Sequence, residues 1–584
     1  MSQTRSTEPR SDDGVPVVGI VEMFSQKAVR GWVSVPADAP PTRVTLHLDD
    51  LEVTATYATT DPDDPDDPTP EGDAPASTAD EASGGGRRRA RGPGRHLLGP
   101  GHVLRNSGEE VRWFRFRLAD LWRFCDPNTE VSVQIGGSRL PITGHGLHLS
   151  PPSAGRRSVD DVRRRLAEGS VFSQKGRLQA SKQLDLEWQR KVLDLYTRTR
   201  TILREKHGHD VFFTYGTLLG AVREGTYIGH DVDFDAAFVT SATDPDGAAG
   251  ELVDVSLTLI GEGLSVTALP PHLHISDPAD PDLHIDLFHT YFDEAGELCF
   301  PFGVAGTSTI HRRDWQGVRE IDWPAGRGLV PVNAEQVVEC LYGPDWRQPK
   351  PGFHWPRERT RLSAEAKLTK AHQSKVYWAD FYARNRYTSG STFAAFMDAR
   401  SDTPGTVVDI GCGDGRDACA FGSAGRHVVG LDQSPVGVEH ASGRAATLGL
   451  TDRVRFEVCD VSETEHLGEV LGRAVAGAGD DPVMFYLRFF LHSIPRNVQA
   501  GLVRTISAVA RPGDVLAAEF RTEGDKAVTK VHGQHYRRFQ DGPAFGRRLS
   551  ERHGFALLHE EEGTGLSPYQ GEDPVLYRVV ARRT

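Results

Sequence analysis

The chain has 584 residues, and at about 150 residues per domain this length predicts three or four folded units. Hydrophobic residues make up 38% of the chain and the net charge is −14, a globular composition that argues against a general nucleic-acid binder. No apolar run approaches the ~20 residues of a membrane span, residues 1–14 lack the apolar core of a secretory signal, and the six cysteines form no CxxC pair. These features predict a reduced, cytoplasmic protein without structural zinc, and they leave peripheral attachment to the inner membrane face open.

Residues 14–150 show the alternation of apolar and polar side chains that is typical of β-strands. Val44, Leu46 and Leu48 alternate with polar residues, and a second alternating run follows after two aspartates, which predicts a β-hairpin. Further alternating runs predict a small antiparallel β-sandwich, interrupted by an acidic, Pro-rich and then Arg-rich insertion at 61–95 that we expect to be disordered. The predicted sandwich contains Trp32, Trp113 and Trp122. These tryptophans fit either a glycan-binding or docking surface or simple core packing.

A second unit is predicted at 180–355. It begins with a helix whose apolar stripe is formed by Trp188, Val192, Leu195 and Ile202. Short apolar runs that suggest a sheet follow this helix, and a Pro-rich aromatic stretch ends the unit near Pro351. The pattern predicts an α+β domain.

Three aspartates stand at alternate positions in this second unit. In an extended strand Asp231, Asp233 and Asp235 project from one face, and carboxylates this close repel each other unless a cation lies between them. Mg²⁺ takes oxygen ligands and keeps substrate phosphate oxygens in its shell, so carboxylates beside the Gly216-Thr217 turn point to phosphoryl or nucleotidyl transfer. Asp286 interrupts a later apolar strand and is the candidate third ligand. A solvated acidic edge is the alternative.

The string GTLLGAVREGTYIGHDVDFD at 216–235 resembles the signature of the LicD family, which includes phosphocholine and fukutin-related ribitol-phosphate transferases. The segment VPVNAEQVVECLYGPDWRQPKP at 330–351 resembles the closing segment of that family. The resemblance implies a nucleotidyltransferase-type fold that transfers a phosphorylated alcohol from a CDP-activated donor to a glycan or lipid-linked glycan acceptor, with Mg²⁺.

The LicD resemblance also implies roles for individual residues. By position, Gly216 and Thr217 match the turn near the donor phosphates and Arg223 the basic residue of the motif. Asp233 and Asp235 match the metal-binding pair, and Asp286 is the candidate third ligand or general base. The family pattern reads Trp-Asp-Asp-Asp-hydrophobic-Asp, whereas this chain carries His230 and Val232 at the first and third of these positions. His230 and Asp231 are therefore expected to line the donor pocket.

A third unit at 365–584 alternates short apolar strands with helical intervals, which predicts α/β winding with a parallel sheet. The last two strands lie too close in sequence for a helix between them, so the final strand is expected to pair antiparallel. Gly411, Gly413 and Gly415 follow the first strand directly, and Asp432 ends the next strand, where a carboxylate can accept both hydroxyls of a ribose.

This order resembles the class I S-adenosylmethionine-dependent methyltransferases over about residues 375–584. The resemblance implies a cofactor site formed by Asp409, Gly411, Gly413, Gly415, Asp432, Asp460, Val461, Tyr486 and Arg488. The predicted fold class is thus multidomain, with an N-terminal all-β sandwich, a central α+β nucleotidyltransferase-like fold and a C-terminal α/β Rossmann-like methyltransferase. Residues 389–396 fit either a lid over the cofactor or the start of a helix.

No fixed catalytic base is expected for methyl transfer, because the reaction mainly requires alignment of the acceptor with the sulfonium. His492, His532 and His535 are candidate bases, although structural or surface roles explain them as well. Cys412 is expected to be a small packing residue rather than a nucleophile.

The resulting hypothesis is a bifunctional enzyme of cell-surface glycan or polysaccharide biosynthesis. One domain transfers a phosphocholine-, phosphoglycerol- or phosphoribitol-like group, and the other methylates the glycan, the donor or the substituent. Two alternatives remain open: an inactive LicD-like scaffold that binds a glycan, and a methyltransferase alone that acts on a small metabolite.

Overall fold

The computed structural model describes residues 18–58, 109–151, 155–173, 175–349, 366–385, 389–528, 530 and 536–584. The chain forms two compact units. Unit 1 comprises Met1–Thr197, Asp210–Val239 and Thr290–Glu365, and unit 2 comprises Arg198–His209, Thr240–His289 and Ala366–Thr584. None of the described helices is both long enough and apolar enough to cross a membrane.

The first strands of unit 1 form two antiparallel sheets. The strands are β1 (Val18–Phe24), β2 (Ala28–Pro36), β3 (Arg43–Leu48), β4 (Leu51–Tyr57), β5 (Glu109–Arg117), β6 (Val131–Ile135) and β7 (Ser138–Arg139). One sheet has the order β1-β2-β5 and the other the order β4-β3-β6-β7. The predicted hairpin is confirmed, because β3 pairs antiparallel with β4 across Asp49, whose φ is 53°. Buried side chains from both sheets, among them Val33 and Val133, belong to one core.

The three tryptophans of this region occupy different environments. Trp32 is buried and donates from its indole nitrogen to Glu22. Trp122 donates to the carbonyl of Gln26, and the Arg30 guanidinium lies over the ring of Trp113. The predicted disordered insertion at 61–95 lies outside the described residues.

The middle of the chain contributes elements to both units. In chain order they are α1 (Val159–Ala167), β8 (Ser170–Phe172), β9 (Leu178–Ala180), α2 (Leu186–His207), β10 (Phe212–Phe213), α3 (Tyr215–Arg223), β11 (Asp235–Val239), α4 (Pro245–Gly261), β12 (Ser265–Ala268), β13 (His272–Asp277), β14 (Asp280–Phe292), β15 (Leu298–Cys299), β16 (Val318–Trp323), β17 (Gly326–Pro331) and α5 (Ala334–Tyr342). The unit boundaries fall within α2 and β14, so that α4, β12, β13 and most of β14 belong to unit 2. The predicted helix with Val192 and Leu195 on its apolar stripe is confirmed as α2, where both side chains are buried.

Two local predictions for this region are wrong. Residues 231–234 are not in a strand, because β11 begins only at Asp235. Gly216 and Thr217 do not form a turn but stand in the first turn of α3. The physical reason is that the first backbone N–H groups of a helix need acceptors from outside the helix, and nearby carboxylates supply one here.

The C-terminal part of unit 2 is a doubly wound sheet. Its strands are β18 (Thr406–Ile410), β19 (His427–Asp432), β20 (Val454–Val458), β21 (Val483–Arg488), β22 (Val515–Arg521), β23 (Phe555–Gly563) and β24 (Leu576–Arg583), in the order β20-β19-β18-β21-β22-β24-β23. The helices are α6 (Lys370–Arg384), α7 (Thr392–Asp398), α8 (Arg416–Ser423), α9 (Pro435–Thr447), α10 (Thr464–Gly477), α11 (Arg496–Val509) and α12 (Gly542–His553). The strands from β18 to β22 pair in parallel, whereas β24 is antiparallel to both β22 and β23. The Rossmann-like prediction and the antiparallel last strand are confirmed.

Both faces of this sheet are covered, as parallel sheets require. Val407 and Met484 belong to the core on one face, and Val408 and Phe485 belong to the core on the other. The chain moves outward from β18 to β19 and β20, and then returns to the other side of β18 as β21. A crevice is expected at this reversal, outside the carboxyl ends of the strands.

Candidate functional site

A cavity of about 380 Å³ lies at the carboxyl ends of β18, β19 and β21. Asp409 of β18, Asp432 of β19 and Arg488 of β21 line it, together with Gly411. Aromatic side chains of α6 form a further part of its wall: Trp378, Phe381 and Tyr382. The cavity therefore occupies the position at which doubly wound sheets bind their ligands.

The loop after β18 depends on glycine for its packing. Gly411 and Gly413 have φ values of 77° and 55°. A Cβ on Gly413 would stand 2.5 Å from the Tyr382 ring, and one on Gly411 would collide with the Phe490 ring. The absence of side chains at these two positions therefore allows the loop backbone to pack directly against two aromatic rings.

Asp432 is held rigidly at the end of β19. One carboxylate oxygen accepts a 2.9 Å hydrogen bond from the Gly413 N–H, and the other accepts one of 2.9 Å from the Ser434 N–H. Burial raises the pKa of Asp432 to about 6, although the two N–H donors oppose this shift. The carboxylate thus links the glycine loop to the start of α9.

A second buried carboxylate, Asp417, stands at the start of α8. It accepts hydrogen bonds of 2.7 Å from both the backbone N–H and the hydroxyl of Ser391, and one of 2.9 Å from the Tyr486 hydroxyl. Burial, reinforced by Asp417 and Asp432, raises the pKa of Asp409 well above its usual range, while Arg488 opposes the shift. The raised pKa favours the protonated, neutral form of Asp409, so this side chain adds little negative charge to the cavity wall.

Arg488 and Glu519 lie on the β21–β22 side of the site. The Arg488 Nε is 3.5 Å from Glu519 and 3.9 Å from Asp417. The Glu519 carboxylate also accepts a 2.6 Å bond from Arg578 of β24. The fully buried Glu519 is therefore balanced by two guanidinium groups, as buried charges must be.

The predicted cofactor residues fall into three groups. Asp409, Gly411, Asp432 and Arg488 line the cavity. Among the described residues that form its wall, the remaining five do not appear: Gly413, Gly415, Asp460, Val461 and Tyr486. Gly413 and Tyr486 instead hold the lining carboxylates in place.

Three further predictions concern the rim of the cavity. His492 lines it, whereas His532 and His535 lie outside the described residues. Cys412 lines it with a thiol whose pKa burial raises well above its usual range, which is consistent with a packing role. In the segment 389–396, α7 begins at Thr392 with Ser391 as its N-cap, and residues 389–392 line the cavity.

Several residues that line the cavity were not predicted from the sequence patterns. Asp417 gave no signal, because its partners lie 26 and 69 residues away in the chain. The aromatic wall could have been found, since Trp378 and Tyr382 are four residues apart on α6 and their rings stack with centroids 5.8 Å apart.

Residues 401–470, which include β18, the glycine loop and β19, match a family model described as a methyltransferase domain. This part of the chain is a methyltransferase domain. The match covers the cavity residues Asp409, Gly411 and Asp432. The prediction of such a domain from the glycine loop and the acidic strand ends is thus confirmed.

Curated relatives match part of this chain at moderate identity. A 2-heptyl-1-hydroxyquinolin-4(1H)-one methyltransferase from Mycobacteroides abscessus is 33% identical over 109 residues, which are 19% of this chain and 43% of that protein. A probable chloroplastic tocopherol O-methyltransferase from Oryza sativa subsp. japonica is 39% identical over 72 residues, which are 12% of this chain and 20% of that protein. The matches therefore span less than half the length of either relative.

Solved structures also resemble part of the chain. A 1,6-didemethyltoxoflavin-N1-methyltransferase from Burkholderia thailandensis, solved with S-adenosylhomocysteine, is 20% identical, with 37% of this chain and 91% of that one covered and a TM-score of 0.27. A methyltransferase from Anabaena variabilis is 17% identical, with 36% and 93% covered and a TM-score of 0.28.

Unit 1 contains a separate cluster of carboxylates at residues 231–235. The Gly216 N–H donates a 2.9 Å bond to Asp235, whose own N–H donates a 2.8 Å bond to the Thr217 hydroxyl. A Cβ on Gly216 would collide with the Asp231 carboxylate and stand 3.1 Å from that of Asp235. Burial, with Asp233 as the next cause, raises the pKa of Asp231 to about 6. The structure thus places the Asp231 and Asp235 carboxylates beside the N-terminus of α3.

The remaining predicted residues of the central domain are placed differently. Arg223 forms a 2.7 Å ion pair with Glu224 at the end of α3. His230 is partly buried, and burial lowers its pKa. Asp286 lies on β14 in unit 2, beside His272, His274 and His284. Its role as the third ligand of the Asp233–Asp235 pair stays a prediction.

Proposed function

We propose that the chain is an S-adenosylmethionine-dependent methyltransferase that binds its cofactor in the cavity at the ends of β18, β19 and β21. The observation that supports this proposal most directly is the buried Asp432 carboxylate, which the Gly413 and Ser434 N–H groups orient beside the glycine loop. In this proposal Asp432 accepts hydrogen bonds from the ribose hydroxyls. The bound cofactor supplies an electrophilic methyl group.

The chain's own residues would then position the acceptor. The Asp417 carboxylate favours a cationic sulfonium, and the aromatic rings of Trp378 and Tyr382 exclude water from it. The proposed acceptors are the glycan, the activated donor or the transferred substituent. The names of the two curated relatives refer to ring compounds, a hydroxyquinolone and tocopherol, so a hydroxylated aromatic metabolite belongs in the same test panel.

Calorimetric titration of the purified full chain with S-adenosylmethionine tests the cofactor proposal. Asp432→Ala is expected to weaken binding by at least about tenfold, because a hydrogen bond to a charged group contributes about 1.5–3 kcal/mol. Asp452→Ala, at an exposed position after α9, is the matched control and should bind like the unaltered protein. Absence of binding to the unaltered, folded protein would refute the proposal.

We propose a second activity, Mg²⁺-dependent phosphotransfer, for the carboxylate cluster of unit 1. The supporting observation is the convergence of the Asp231 and Asp235 carboxylates on the N-terminus of α3 at Gly216. Asp233 and Asp235 would hold Mg²⁺, and the first N–H groups of α3 would orient donor phosphate oxygens. The protein would then be a bifunctional enzyme of cell-surface glycan assembly, acting in the cytoplasm or at the inner membrane face.

Release of CMP tests this second activity. The purified protein is incubated with Mg²⁺, crude surface glycan and CDP-choline, CDP-glycerol or CDP-ribitol. Release should require the acceptor and be lost in Asp233→Asn, whereas Asp194→Asn, an exposed position on α2, should retain it.

The two alternatives give different results in the same assays. An inactive scaffold would release no CMP, and its glycan affinity would not change in Asp233→Asn. A methyltransferase alone would also release no CMP, would bind no CDP ligand, and would transfer methyl groups whatever residues occupy positions 233 and 235.

A further inference from the structure

Four side chains with metal-ligating chemistry share one face of the β13–β14 ladder in unit 2. His274 lies directly opposite Asp286, and His272 and His284 occupy the adjacent alternate positions of β13 and β14. The intervening side chains point to the other face, where Leu273 and Ile285 are fully buried. Side chains at alternate positions of a strand share a face, so the segments His-Leu-His of β13 and His-Ile-Asp of β14 place three imidazoles around one carboxylate.

The spacing of this cluster fits a metal ion better than direct hydrogen bonds. The Nε2 atoms of His272 and His274 stand 3.6 and 3.3 Å from the Asp286 carboxylate oxygens, whereas N–H···O bonds in proteins are usually about 2.7–3.2 Å long. Ligand atoms about 2.0–2.2 Å from a tetrahedral Zn²⁺ ion are roughly 3.4 Å apart. The ligand atoms of His272, His274 and Asp286 all lie within 4.8 Å of one another.

We propose that His272, His274 and Asp286 form a binding site for a divalent first-row transition metal ion. Two imidazoles and a carboxylate suit Zn²⁺ or Fe²⁺ rather than Mg²⁺, which prefers oxygen ligands alone. The cofactor cavity and the Asp233–Asp235 pair include none of these three residues, so this proposal is independent of both proposed activities. It replaces the predicted role of Asp286 as the third ligand of that pair.

The fourth side chain, His284, has a supporting position. Its ring stacks on that of His274 with centroids 4.3 Å apart, and its Nε2 is 3.8 Å from the Asp286 carboxylate. His272 and Asp286 are buried, whereas the side chains of His274 and His284 are 33% and 35% exposed. The site therefore faces solvent on the His274–His284 side, where a water molecule or substrate has access to the remaining coordination positions of the ion.

Metal content and metal affinity of the full chain test the proposal. The protein is stripped with a chelator, incubated with Zn²⁺, dialysed, and analysed for zinc by mass spectrometry. We expect one Zn²⁺ per chain, retained in the presence of excess Mg²⁺. His274→Ala and Asp286→Asn should each weaken Zn²⁺ binding by more than about tenfold, because loss of even an outer-shell partner typically weakens metal binding by about that factor.

His427→Ala is the matched control, because His427 is an exposed histidine on β19 of the same unit. It should bind Zn²⁺ like the unaltered protein, and His284→Gln should weaken binding less than His274→Ala does. Unchanged zinc content in the His272→Ala/His274→Ala double variant would overturn the proposal, as would displacement of Zn²⁺ by Mg²⁺.

A measurement on the unaltered protein keeps the proposal testable if the variants do not fold. Co²⁺ added to the stripped protein should produce the intense visible absorption of a four- or five-coordinate ion, should saturate at one equivalent, and should be displaced by Zn²⁺. A spectrum like that of aqueous Co²⁺, with no saturation, would overturn the proposal.

Discussion

At the scale of single residues, the methyltransferase domain depends on carboxylates that are buried but held by hydrogen bonds. Asp432 accepts from two backbone N–H groups, and Asp417 accepts from Ser391 and Tyr486. A buried carboxylate is costly unless such donors surround it. Burying these carboxylates therefore lowers the stability of the fold, but it places acidic groups where a cationic cofactor would bind.

The raised pKa of Asp432 predicts a pH dependence of cofactor affinity. With a pKa of about 6, Asp432 is mostly protonated below pH 6 and ionised above it. Because the ionised form is the better acceptor for ribose hydroxyls, affinity for S-adenosylmethionine should rise as pH increases, by about tenfold between pH 5 and pH 7. Calorimetric titrations at half-unit intervals would measure this change.

The variant Asp432→Asn is the control for this pH dependence. It keeps the size of the side chain but removes the titrating group, so its weaker affinity should vary little over the same pH range. An equally steep pH dependence in Asp432→Asn would assign the titration to another group, such as Asp409.

At the scale of elements, Gly413 in the loop between β18 and α8 is required for two separate reasons, and Gly425, which follows α8, shares only one of them. Gly413 and Gly425 both have positive φ, 55° and 90°, so alanine at either position meets backbone strain. Only Gly413 also faces a neighbour, because no atom lies within 4 Å of a Cβ built on Gly425. Comparing alanine substitutions at these two positions therefore distinguishes the cost of backbone strain from the cost of the steric collision.

Gly413→Ala is therefore expected to be more destabilising than Gly425→Ala. The strain common to both costs about 1–2 kcal/mol, and the contact with the Tyr382 ring adds to it only in Gly413→Ala. Thermal unfolding with and without S-adenosylmethionine would measure the effect. We expect Gly413→Ala to lower both the melting temperature and the cofactor affinity, and Gly425→Ala to lower the melting temperature alone. Equal effects in the two variants would contradict the collision argument.

The two incorrect local predictions also belong to this scale. Alternating aspartates at 231–235 suggested a strand, and Gly216-Thr217 suggested a turn. In the structure, α3 begins at Tyr215, and its first turn meets the Asp235 carboxylate at the start of β11. A helix N-terminus and a strand end that meet in space satisfy each other's polar groups, and this pairing is not visible in either segment alone.

At the scale of the whole molecule, the two candidate activities belong to different units. The hydrogen bonds described for Asp235 join residues of unit 1, and those described for Asp432 join residues of unit 2. Substitutions at sites that share no partners usually have independent effects.

The expected result is that each substitution affects one activity. Asp235→Asn should abolish CMP release and change the affinity for S-adenosylmethionine by less than about twofold, and Asp432→Ala should have the reverse effect. Parallel CMP-release and cofactor-titration assays on both variants would measure this. Loss of cofactor binding in Asp235→Asn would indicate that the two units are energetically coupled.

The sequence by itself determined the methyltransferase domain, because its signals are local: apolar strands, glycines directly after β18, and an aspartate at the end of β19. It likewise indicated α2 and the β3–β4 hairpin from periodicity within one segment. Only the tertiary structure decided which distant groups meet. Asp417 acquires its partners from the N-cap of α7 and from β21, and the register of β13 and β14 brings three histidines around Asp286. The spacing of residue types within one segment reflects the local geometry of a helix or strand. Contacts between segments that are distant in sequence depend instead on how those elements pack.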